Sequence, residues 1–215
     1  MGTEHNHPHD HTPIVEDEKP AYYEILEIAI TELLVEKGII SRDDVRKQIE
    51  VLDSRSPALG AKLVVRAWKD DAFRKRLLQD GNLAAEEMGI TMYDDTAFTV
   101  LEDTPEIHHM IVCTLCSCYP RPVLGLPPDW YKNKTYRQRA VKEPRAVLEE
   151  FGTIVPDHVQ IVVNDSTANQ RYMVMPLRPE GTEDFTDEQL EALVTRDTMI
   201  GVSLCAIPEI KQCSI

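Results

Sequence analysis

Residues 107 to 118 read Ile107-His108-His109-Met110-Ile111-Val112-Cys113-Thr114-Leu115-Cys116-Ser117-Cys118. The first half is an apolar run of strand length, expected to be buried. The second half packs three of the chain's five cysteines into six residues. No helix, strand or disulfide framework needs thiols at that density, whereas a metal with an unusual ligand set does. The rest of the chain is therefore read as scaffold, partner surface or access route for this run.

Structural zinc takes four ligands in a tetrahedron, usually from two separated pairs. Here the fourth ligand would come from far away, and the one-residue gap between Cys116 and Cys118 is tight for tetrahedral closure. An iron–sulfur cluster asks for four thiolates at other spacings. A thioredoxin-like pair belongs at a helix start beside a βαβ unit, which the prolines after Cys118 disfavour. A claw fits better. If the sulfurs of Cys116 and Cys118 bind one metal, the backbone nitrogens of Ser117 and Cys118 fall at the same metal. They complete a square of two sulfurs and two nitrogens, and Cys113 can add an axial sulfur. One position stays open for water or substrate, as Lewis-acid catalysis requires. Square-based nitrogen–sulfur coordination excludes zinc and suits low-spin trivalent cobalt or iron. His108 and His109 stand just upstream, but adjacent strand residues point to opposite faces, so each is assigned a structural role.

Downstream, Pro120, Pro122, Pro127 and Pro128 with Gly125 predict a stiff loop rather than a regular helix or central strand. Glu143 to Phe151 predicts a helix ended by Gly152. Val159 to Val163 and Tyr172 to Met175 predict a strand pair around the polar segment 164–170. Thr186 with Gln189 makes a capping box for a helix to about residue 196, and Met199 to Leu204 predicts a final strand. Upstream, Pro20 opens a helix over about 21–37. Ser41 with Asp44 resembles a capping box before a helix over 42–51. Ser56-Pro57 is an N-cap and N1 pair for 57–68. Residues 70–80 and 82–88 continue the helical pattern, and Phe98 to Leu101 is a short strand. Helices first and mixed elements after give an α+β fold. Its parts are a disordered His-rich tail (1–20), a helical arm (21–90) and a metal-binding catalytic domain (91–215).

The tail carries His5, His7, His9 and His11. A solvated tail is the plainer reading, weak metal binding that helps delivery the other. Cys205 and Cys213 are assigned no chemistry. The formal charge of −14 over 215 residues argues against sequence-independent nucleic-acid or anionic-membrane binding. No apolar run is long enough to span a bilayer. The polar start has no signal-peptide core. An odd cysteine count disfavours a secreted disulfide scaffold. A cytoplasmic protein is expected.

The string Val112-Cys113-Thr114-Leu115-Cys116-Ser117-Cys118-Tyr119-Pro120, followed by Val123-Leu124-Gly125-Leu126-Pro127-Pro128 and Trp130-Tyr131-Lys132, resembles the nitrile hydratase alpha subunit. Glu36-Lys37-Gly38, Ala67-Trp68, Arg137, Pro144-Arg145, Phe151-Gly152, Arg171-Tyr172-Met173-Val174, Arg178-Pro179 with Gly181-Thr182, and Thr195-Arg196-Asp197 through Ile200-Gly201 extend the likeness over roughly 20–204. The resemblance implies a layered α-β-β-α catalytic domain behind the arm. It makes Cys113 an unmodified axial thiolate, Cys116 a sulfinate, Cys118 a sulfenate, and Ser117 and Cys118 donors of amide nitrogens; such oxidation lies on the known cysteine ladder. It places Cys116, Ser117 and Cys118 in catalysis, and Thr114, Tyr119 and Arg121 around the substrate. Thr114 and Tyr119 resemble the cobalt subclass, so non-corrin Co(III) is expected ahead of Fe(III). The implied reaction hydrates a small nitrile to an amide, with Cys118 sulfenate either activating water or attacking the carbon itself. The implied partners are a beta subunit, in a heterodimer or heterotetramer, and a cobalt-loading activator protein. Arg121 stands where that family usually carries Trp, and there the chain looks like the thiocyanate hydrolase gamma subunit. Met175-Pro176 and Arg178-Pro179-Glu180-Gly181 lean the same way. The segment from Thr99 to Pro105, leading directly into the claw strand, leans against it. A non-enzymatic metal-binding or delivery module is the alternative of another class.

Overall fold

A computed structural model describes residues 22–92, 96–116 and 118–207. The His-rich tract, Ser117 and Cys213 lie outside the described residues. The chain forms two compact units that divide between Ile49 and Glu50. In the first, helix α1 (Tyr22–Glu36) leads into α2 (Arg42–Ser54), which crosses the division. The Ser41–Asp44 box forms: the Asp44 carboxylate accepts from Ser41 N at 2.9 Å, and Ser41 Oγ from Asp44 N at 3.1 Å.

In the second unit α3 (Pro57–Lys69), α4 (Asp71–Gln79) and α5 (Gly81–Glu87) follow one another closely. Pro57 opens α3 as expected, but the Ser56 side chain makes no cap. Asp70 and Asp80 cap the next two helices, accepting from Phe73 N and Leu83 N respectively. Leu63, Val64, Phe73, Leu77 and Ala84 are fully buried. This burial, rather than helix propensity, stabilises helices of nine and seven residues.

Among the described residues four strands make two parallel pairs. β1 (Ala97–Glu102) pairs with β4 (Gln170–Met175), and β2 (Ile107–Val112) with β3 (Gln160–Asp165). The expected pairing of the last two strands is therefore corrected: β3 and β4 belong to different sheets. Met173, Val174 and Met175 are all buried, as are Met110, Ile111 and Val112. Consecutive burial of that kind belongs to parallel strands covered on both faces, not to a half-exposed hairpin.

Three further expectations change. The proline segment is not one loop but holds two four-residue helices, α6 (Arg121–Leu124) and α7 (Asp129–Lys132). Pro122 lies in the first turn of α6 and Pro128 caps α7, positions that need no N–H donor. The sequence pattern missed α8 (Lys134–Lys142), capped by Asn133, ahead of α9 (Pro144–Glu150). The last expected helix stops early, as α10 (Asp187–Leu193), with its Thr186–Gln189 box intact. A second box, Thr195 with Thr198, starts α11 (Arg196–Ile200), which takes the place of the expected final strand from Met199.

One buried polar contact braces β2. His108 Nδ1 lies 2.9 Å from an Asp103 carboxylate oxygen and Nε2 lies 2.9 Å from the Gly201 carbonyl. Both partners are acceptors, so only the doubly protonated, charged ring satisfies both. Burial opposes that charge, but the Asp103 bond, the Asp103 charge and the Gly201 carbonyl together hold the pKa above the usual histidine value. Its contribution to stability is full below about pH 6.5 and is lost as pH rises through the raised folded value. Thermal unfolding followed upward from pH 6 is expected to show a falling midpoint in the native chain. His108→Gln should remove that slope. An identical slope in the variant would refute the charged ring.

Candidate metal centre

Strand β2 ends at Val112 and delivers Cys113, fully buried, into the loop that follows. The chain turns back at once. Cys116 N donates to Cys113 Sγ at 3.3 Å. Cys113 and Cys116 sulfurs stand 3.4 Å apart, and Cys116 and Cys118 sulfurs 3.2 Å apart. All three lie within 4.8 Å of one another, a grouping able to hold a metal ion. No disulfide joins them. Burial first, then the Cys116 sulfur and the charge of Cys113, push the Cys118 thiol up to about 12, while the Arg171 guanidinium pulls it down. A cation among the sulfurs reverses that penalty.

Three side chains from other elements hold the loop. Parallel pairing sets Asp165 opposite Val112, one residue from the first cysteine. Its carboxylate accepts from Thr114 N at 2.9 Å and from Thr114 Oγ1 at 2.5 Å. The next residue continues the ladder, Ser166 N donating to Val112 O at 2.7 Å. From α8, Arg137 Nη1 donates to Cys116 O at 2.9 Å and reaches Thr114 O at 3.4 Å. From α7, the fully buried Tyr131 donates its hydroxyl to Cys118 O at 2.9 Å. Removing the Asp165 carboxylate in Asp165→Ala is expected to weaken metal retention by about tenfold, while unfolding free energy falls by only about 1–3 kcal/mol. Metal content after dialysis against a chelator, beside a urea melt, separates the two effects.

The residues expected around a substrate divide. Thr114 is exposed and bound to Asp165. Tyr119 is buried, its ring edge-to-face with Tyr131 at 5.0 Å, and its hydroxyl has no hydrogen-bond partner among the described residues. Burial holds that phenol above its ordinary pKa. Arg121 is exposed at the start of α6. Leu115, on the claw itself, is 84% exposed. Neither upstream histidine joins the sulfurs: His108 is tied to Asp103 and Gly201, and His109 Nδ1 meets Asn164 Nδ2 at 3.1 Å. A cavity of about 290 Å³ lies at the other end of β2, by Ile107, Pro176 and Leu204. It touches no claw residue. Sequence reasoning missed Asp165 altogether and gave Arg137 and Tyr131 no role. No local pattern marks Asp165, because a strand pairing brings it there.

The family model of the nitrile hydratase alpha chain matches residues 21–203. The chain is similar to the low-molecular-weight cobalt-containing nitrile hydratase subunit alpha of Rhodococcus rhodochrous, with 52% identity over 181 residues, 84% of this chain and 87% of that one. It is also similar to the thiocyanate hydrolase subunit gamma of Thiobacillus thioparus, with 44% identity over 203 residues, 89% of this chain and 83% of that one. Among solved structures, a double mutant of the Fe-type nitrile hydratase from Comamonas testosteroni superposes with a TM-score of 0.80 at 41% identity, covering 89% of this chain and 96% of that one. The mixed helix-and-sheet fold, the cysteine cluster and these likenesses agree: the chain belongs to the nitrile hydratase alpha-chain family.

Proposed function

We propose that this chain is the metal-binding, catalytic subunit of a nitrile hydratase that converts nitriles to amides at a non-corrin trivalent cobalt centre. The convergence of the Cys113, Cys116 and Cys118 sulfurs carries the reading. Three sulfurs within 4.8 Å of one another can share one ion, and the tight spacing of Cys116 and Cys118 favours a cobalt or iron centre over tetrahedral zinc. The named cobalt relative, with Thr114 and Tyr119, favours cobalt over iron.

In this reading the metal would be held by Cys113 as a buried thiolate, Cys116 as a sulfinate and Cys118 as a sulfenate, with the amide nitrogens of Ser117 and Cys118. A bound trivalent ion supplies Lewis acidity toward the nitrile. As a sulfenate, Cys118 would present an oxygen that either acts on the nitrile carbon itself or activates the water that does. Asp165, Arg137 and Tyr131 keep the loop in one shape, so that oxygen meets the carbon without reorganisation. We assign Thr114, Tyr119 and Arg121 to the substrate pocket.

A second chain covers the site, and we take it to be the beta subunit, in a heterodimer or heterotetramer, with an activator protein loading the metal. Exposed apolar surface supports a partner: Leu115 on the claw, and in the first unit Tyr22, Tyr23, Ile25, Ile28 and Leu33 along α1. Among the described residues no helix is long and apolar enough to cross a membrane. We place the protein in the cytoplasm; the four cysteines among the described residues, Cys113, Cys116, Cys118 and Cys205, are free thiols.

A second reading is the thiocyanate hydrolase gamma subunit, acting on thiocyanate to give carbonyl sulfide and ammonia. Arg121, exposed three residues after Cys118, favours it by offering an anion a charge. The test is purification with the partner, metal analysis, and intact mass of the claw peptide. Stoichiometric cobalt, added oxygens on Cys116 and Cys118, and amide from acrylonitrile are expected. Thiocyanate turnover without acrylonitrile turnover would favour the second reading. Unoxidised cysteines, easy metal loss and no turnover would leave a delivery module.

A further inference from the structure

We infer that Arg137 is a positioning residue of the metal centre, compensating charge on the peptide that carries one of the metal's nitrogen ligands; this rests on the claw reading above. The carbonyl oxygen that Arg137 Nη1 meets at 2.9 Å is that of Cys116. That oxygen belongs to the peptide whose nitrogen is Ser117 N. When the nitrogen binds as an anionic amide, resonance shares its charge with this oxygen. The guanidinium therefore touches the one protein atom, outside the ligand sphere, on which the charge of that ligand collects. Three anionic sulfurs and two anionic amides around a trivalent ion leave two negative charges in excess, and a partly buried excess charge needs a cation close by.

Simple tethering accounts poorly for an arginine here. Arg137 Nε is buried with no hydrogen-bond partner among the described residues. A neutral donor could hold the two carbonyls without burying an unsatisfied N–H. Tyr131 already does this for Cys118 O. Arg171 is close enough for its charge to act on Cys118, but its guanidinium donates to the Thr167 and Gln170 carbonyls. Position 137 thus couples charge to geometry: α8 fixes the guanidinium, and the guanidinium fixes and polarises the ligating peptide.

The full chain, co-expressed with its partner subunit and supplied with cobalt, is compared with Arg137→Lys and Arg137→Gln. The readouts are cobalt per chain after EDTA dialysis, the sulfur-to-cobalt charge-transfer absorption, and the unfolding midpoint. Lysine keeps the charge and should keep most of the cobalt. Glutamine keeps a donor without charge and should lose about tenfold or more in cobalt retention, with a shifted absorption band. Glutamine matching the native chain in cobalt and spectrum would overturn the inference. So would equal cobalt loss in both variants with equally lowered midpoints, which marks a mere tether. A native complex that takes up no cobalt would overturn the claw reading, and this inference with it.

Discussion

Cys113→Ser is expected to leave the purified complex without its metal and with hydration activity lowered by more than about a hundredfold, the loss typical when only an outer partner of a metal ligand is removed. Cys113 is fully buried at the end of β2, and its sulfur stands 3.4 Å from the next. Serine is nearly isosteric but offers a hard hydroxyl that does not ionise in the physiological range, in place of a soft thiolate. The fold should survive. A buried hydroxyl costs about 1–3 kcal/mol, and the substitution changes one atom of a large core. The measurement pairs cobalt content with a urea melt. A variant that keeps its cobalt would remove Cys113 from the ligand set. A variant that loses both cobalt and fold would make the cysteine structural.

Gly201→Ala is expected to be the most destabilising small substitution, at about 3–5 kcal/mol. Gly201 ends α11 at φ +83, a left-handed conformation that side chains rarely adopt. An added Cβ would overlap the His109 carbonyl oxygen and stand 2.9 Å from its carbon and 3.0 Å from Met110 Cα. These are backbone atoms of β2, so no flexible side chain can yield. The glycine's own carbonyl also takes His108 Nε2. Displacing it disturbs the strand that delivers Cys113. Gly89→Ala is the control, with φ +73 and nothing within 4 Å; it should cost only about 1–2 kcal/mol. Equal urea midpoints for the two variants would mean that conformation alone, and not the close approach to β2, sets the cost.

Two helix starts followed the sequence because a reciprocal side-chain box fixes each of them. Thr186 with Gln189 and Ser41 with Asp44 each form their box as read. The apolar run from Met199 suggested a strand, but Thr195 and Thr198 cap a helix there and Gly201 ends it. Local capping outweighed the apolar pattern. Strand pairing was not legible. β3 and β4 are separated by only four residues, the spacing of a hairpin, yet each pairs in parallel with a strand far upstream. The compact units divide at Ile49 and Glu50, within α2, whose sequence carries no linker signal.

The sequence by itself determined which atoms can gather at the claw. Cysteines at 113, 116 and 118 are tied by so few bonds that their sulfurs and the intervening amides share one small volume, whatever surrounds them. The tertiary structure decided how that volume is held. Asp165 reaches Thr114 across 51 positions because β3 lies beside β2 in register. Arg137 and Tyr131 reach the carbonyls of Cys116 and Cys118 because two short helices fold back over the loop. Chelate spacing is a property of a few adjacent bonds and is written in the chain. The polar groups that orient it come from elements whose packing depends on the whole core.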